Sequence, residues 1–218
     1  AGLAALRAIL PHCASLVRKH LSRVAKLVLK ALEEPQLQVV SFAIVADLFS
    51  IAPAEARCGS MRLRERVLLP LLAQLEPISV QHALFPQALA AVEAACQLSR
   101  SGAMAPLKPP RSGMALVVWL TSRLQELLAI PNKIDAAGQA ALMRLCTLLG
   151  AILQRQAEGA LAMPGLEARL HAGLGDALAS AWSPECRGAV LVAAGALLSS
   201  ASEQLQSGGG THTEQFQE

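Results

Sequence analysis

Lys19, Arg23, Lys26 and Lys30 fall at i, i+4, i+7 and i+11 within LVRKHLSRVAKLVLKALEE. On an α-helix that spacing sets four cations in one narrow row, with Leu21, Val24, Val28 and Leu32 on the opposite, core-seeking face. Like charges on neighbouring turns repel by roughly 0.2–0.5 kcal/mol per pair. Carboxylates of a partner, or phosphates, would relieve that repulsion. The plain alternative is a solvated outer face. Nucleic-acid binding would call for aromatics interleaved with the cations, and this segment has none. A second basic cluster, Arg62, Arg64 and Arg66, opens another helical stretch, where Arg62 and Arg66 share a face. Cations at a helix start oppose the macrodipole, so Glu65 and outside acids are needed to offset them.

Other chemistry-bearing residues are sparse. His12, Cys13 and His20 are the nearest thing to a metal set; Cys13 and His20, seven apart, share a face, but a third and fourth ligand at workable spacing is missing. His82 and His171 stand alone, and aspartate occurs only at Asp47, Asp135 and Asp176. No HExxH, GxSxG, GxxxxGK[ST] or GxGxxG pattern occurs, and no Glu-x-x-His pair that could build a metal site in a helix bundle. No catalytic residue, metal or cofactor is expected, and the chain does not read as an enzyme. Of the two tryptophans, Trp119 lies in the apolar run MALVVWL and belongs in a core. Trp182 lies in a turn before Pro184, where it either caps a junction between helices or presents an anchor to a partner.

The elements that must position these residues follow a recurring phrase: a helix with a leucine pair, a turn carrying proline, then an alanine-rich apolar helix. The copies are LKALEEP, LAQLEP, LQELLAIP and LGDALASAWSP, ending at Pro35, Pro77, Pro131 and Pro184. The pattern predicts about nine helices: Gly2–Leu10, Cys13–Glu34, Leu37–Ile51, Met61–Leu75 bent at Pro70, Ser79–Ser99 kinked at Pro86, Met114–Ala129, Lys133–Glu158, Pro164–Ala181, and one opened by Ser183-Pro184-Glu185. SGAMAPLKPPRSG, with three prolines and two glycines, forbids regular structure over 101–113 and separates helical repeats over 1–100 from those over 114–206. Residues 207–218, polar and Gly-rich, read as a flexible, disordered tail.

ALEEPQLQVVSFAIVADLF and LASAWSPECRGAVLVAAGALL resemble the HEAT and armadillo class of helical repeats. In that class the first helix ends in a short turn with Pro or Asp, and the second lines the concave side. The four prolines lie 42, 54 and 53 residues apart, against the usual ~40–47. The resemblance therefore implies an all-α, irregular solenoid with long or degenerate connections. It also implies a non-catalytic scaffold, a segment of a larger parent chain, binding protein partners within a multisubunit assembly. The partner's acidic or amphipathic helical segment would lie in the groove of the second helices, steered by Lys19, Arg23, Lys26 and Lys30, with Arg62, Arg66 and Trp182 as further contacts. Nucleic-acid or acidic-lipid binding through the same basic stripe is the alternative.

Composition agrees. Hydrophobic residues make up 53% and charged residues 16%, which excludes disorder for the body of the chain. Aromatics are 3%, too few for a β-sandwich or barrel. The apolar runs Val39–Ala52, Met114–Leu120 and Gly188–Ser202 are too short or interrupted to span a membrane, and no signal peptide opens the chain. Five cysteines scattered singly point to a reducing compartment, cytoplasm or nucleus. A net charge of +3 is too mild to indicate nucleic acid by itself.

Overall fold

The structure, a computed structural model, describes residues 2–12, 14–51, 70–100, 111–130, 135–160 and 165–208. All regular structure among them is helical. The helices are α1 (Gly2–Ile9), α2 (Ala14–Ala31), α3 (Gln38–Ile51), α4 (Phe85–Arg100), α5 (Arg111–Leu128), α6 (Ala136–Ala160), α7 (Leu166–Ser180) and α8 (Pro184–Gly208). A 3-10 turn, Pro35–Leu37, joins α2 to α3, and residues 70–75 are also helical.

Local chemistry sets the boundaries. Ser183 Oγ accepts the Cys186 backbone N–H at 3.1 Å and caps α8, with Pro184 and Glu185 in its first turn. Asp135 Oδ1 accepts the Gly138 N–H at 2.8 Å and caps α6. Gly165 precedes α7 at φ 77, a left-handed backbone that a Cβ would strain. Pro86 does not kink a helix running from Ser79. It is the second residue of α4, where a missing N–H costs nothing, and residues 80–84 fold as turns before it. The helix expected to reach Glu34 ends at Ala31, and Gln38 Nε2 donates to the Leu32 carbonyl at 3.0 Å across the turn. Arg111–Gly113, expected in the connecting segment, belong to α5, and α8 runs through Gly208 into the expected tail. Residues 52–69, 101–110 and 209–218, with the remaining linker and tail expectations, lie outside the described residues.

The chain divides into two compact units, Ala1–Leu107 and Lys108–Glu218. In the first, α3 is the central helix and packs against α1, α2 and α4. Its sequence is apolar nearly all round, as a helix with neighbours on several sides requires. Phe42, Ile44, Val45 and Leu48 of α3 are buried, as are Val28, Leu32, Leu71, Leu75, Leu89 and Val92 of the same unit. An exposed ion pair, Arg7 to Asp47 at 3.3 Å, ties α1 to α3.

In the second unit, α5 packs on α6 and α7 on α8, while α5 also packs on α7 and α6 on α8. Each helix of this unit thus packs both on its neighbour in sequence within a pair and on the next helix but one. The α6–α8 contact is the closest: a Cβ on Gly150 would lie 3.2 Å from the Ala193 Cα. Buried Ala193 and Ala196 of α8 keep that layer thin. Among the described residues one window, Ala136–Gln154 of α6, is long and apolar enough to cross a membrane by length and composition, and half of it is buried within the unit.

Candidate partner-binding surface

Helix α2 turns its apolar side inward. Ala25, Val28 and Leu32 are buried and Val24 half-buried, whereas Lys19, Arg23, Lys26 and Lys30 are all exposed. The cation row faces solvent over about 16 Å of helix, and α2 holds no Asp or Glu to neutralise it. Leu27, between Arg23 and Lys30 on that side, is 63% exposed. Next to the row an open groove of about 430 Å³ is lined by Lys26, Leu29, Lys30 and Glu33 on one wall and by Pro70 and Gln74 on the other. Glu33 and Glu34 stand exposed just beyond the last cation, with Gln36 Nε2 donating to Glu34 Oε2 at 3.2 Å.

Sequence reasoning found the four cations but missed the apolar part of this surface. Leu27 is four residues from Arg23 and three from Lys30, so the helical spacing contained that signal. Gln74 carried none, because its nearness to α2 is a tertiary fact. Arg62 and Arg66 lie outside the described residues and cannot be joined to the row.

Trp182 lies in the second unit and is 58% exposed. Its turn is pinned from below. Gln139, buried at the start of α6, donates from Nε2 to the Ser180 carbonyl at 2.9 Å, and its Oε1 accepts the Trp182 N–H at 3.3 Å. Arg187 Nε donates to the Ala181 carbonyl at 2.8 Å. These bonds hold the backbone of the turn, and Trp182 itself is largely exposed. Trp119 is only 6% exposed, with the Arg123 guanidinium 6.0 Å from its ring centroid. Leu191, Val192 and Leu198 leave an apolar strip exposed on α8.

Comparison with models of known protein families, with curated proteins and with solved structures finds no match. Function must be argued from these surfaces alone.

Among the described residues no three His, Cys, Asp or Glu side chains are grouped to hold a metal ion. Cys146 and Cys186 are free and buried. Burial, and then the neighbouring Cys186 thiol, push Cys146 up to about 12; burial also raises Cys186. The sign follows from proton linkage. Above the ordinary thiol range, near pH 9, the unfolded chain gives up its proton while the folded chain retains it, so stability falls as pH rises. Urea midpoints between pH 7.5 and 10 are expected to fall more steeply for the parent than for Cys146→Ala. Equal slopes would show that Cys146 is not held protonated.

Proposed function

We propose that this chain is a non-catalytic scaffold segment of HEAT/armadillo-like character that binds a protein partner through the exposed face of α2. The partner presents an amphipathic helix, its carboxylates over Lys19, Arg23, Lys26 and Lys30 and an apolar residue against Leu27. The observation that carries this reading is the solvent-facing cation row without an intervening acid, with exposed Leu27 beside it. The layering of α5 on α7 and α6 on α8 supports the repeat-like part, since stacked helical hairpins pack in that order. Such a surface gives orientation and encounter rate through charge, and affinity through the apolar contact.

The test uses a designed 20-residue amphipathic peptide with Glu at i, i+4, i+7 and i+11 beside a leucine stripe. Its binding is expected to weaken as salt rises. It should weaken about 30-fold when Lys19, Arg23, Lys26 and Lys30 are changed to Glu, with circular dichroism unchanged. Duplex DNA and phosphatidylserine vesicles are run in parallel. Binding of either in place of the peptide would overturn the protein-partner reading, and loss of helicity in the variant would place the row inside the fold.

A further inference from the structure

The cation row on α2 does not run unbroken to the end of the surface. Reading along the helix, Lys19, Arg23, Lys26 and Lys30 are followed within one turn by Glu33 and Glu34, both exposed, and Glu33 also lines the groove. The backbone adds to that order. A helix carries partial positive charge at its start and partial negative charge at its end, so the α2 macrodipole has the same sense as its side chains. Lys30 in the last turn offsets part of that negative end, so the negative pole of the surface rests on Glu33 and Glu34. The surface is a dipole, positive over about 16 Å and negative at one end.

We propose that its occupant is a charge-polarised amphipathic helix, whose acidic stretch ends in one or two basic residues that seat over Glu33 and Glu34. This rests on the reading of α2 as the docking face and narrows it. A uniformly negative ligand, such as a nucleic-acid strand, matches only the first part of the surface and is repelled at the last turn. A helix acidic along three turns and basic on the next matches both parts. Leu27, beside the cation row, supplies the apolar contact that holds it down, and the charge order sets its register.

Two peptides test the proposal, measured against the full chain by fluorescence anisotropy. Both carry the four-Glu stripe and the leucines. The first has two Lys residues one turn beyond the last Glu, and the second has Glu there. The first is expected to bind the parent about 5-fold tighter. That preference should invert on the Glu33→Lys, Glu34→Lys double variant, whose helicity is checked by circular dichroism. Equal affinity of the two peptides for the parent overturns the polarity and leaves the docking reading standing. If neither peptide binds, the docking reading itself fails and the polarity with it. A preference unchanged in the double variant would assign the discrimination to some other surface and overturn the proposal.

Discussion

Gly150→Leu is expected to unfold most of the second unit's α6–α8 layer, lowering stability by more than about 3 kcal/mol. A Cβ on residue 150 would lie 3.2 Å from the Cα and 3.3 Å from the backbone nitrogen of Ala193. Backbone atoms cannot rotate aside as a side-chain tip can. Even alanine would force the two helices apart by a few tenths of an ångström, and leucine adds three carbons where buried Gly150 leaves no space. Such a loss is a large fraction of the roughly 5–15 kcal/mol that holds a domain together. Gly173→Ala is the matched control. Its Cβ would meet only Leu124 Cδ2 at 3.6 Å, an ordinary contact, and helix propensity favours alanine by about 1 kcal/mol. Urea denaturation followed by circular dichroism should move the midpoint down for the first and up for the second. A Gly150→Leu protein as stable as its parent would mean that α6 and α8 do not cross there.

Gln139→Met is the second substitution with a large expected effect, about 2–3 kcal/mol. Methionine keeps nearly the same volume, so the cost comes from hydrogen bonding rather than from a cavity. The Ser180 carbonyl loses its donor and the Trp182 N–H loses its acceptor. Both bonds are part-buried, and losing each costs about 1–1.5 kcal/mol. The effect is local first: hydrogen exchange at the Trp182 amide should accelerate well beyond that of the α5 core amides. Uniform acceleration would show that the contact supports the whole unit equally and that the turn is not specially pinned.

These two sites were invisible in the sequence for a physical reason. Gly150 sits in LLGAIL and Gln139 in AAGQAAL, runs whose periodicity records only that a helix is present. Which residue lies against a backbone, or beneath a turn, depends on how helices cross, and no local pattern encodes that. The α8 start was readable because Ser183, Pro184 and Glu185 act within a single turn. The outward aspect of Lys19, Arg23, Lys26 and Lys30 was readable because the 3.6-residue period sorts cations from Val28 and Leu32. Pro86 misled because a proline within an apolar run fits either a kink or a helix start. Only the turn ahead of it, where Leu84 N–H donates to His82 Nδ1 at 3.1 Å, separates the two. Asp135, one of three scattered aspartates in the sequence, proved to be a helix cap.

The placement of the two indoles has an experimental consequence. The chain has two tryptophans and no tyrosine, and both Trp119 and Trp182 belong to the unit Lys108–Glu218. Emission excited at the red edge of indole absorption therefore reports on that unit alone, and the other is optically silent. Ellipticity at the peptide band registers both. Transitions that coincide by the two probes would mean that the halves melt as one cooperative body, whereas displaced transitions would rank them in order of strength without any labelling.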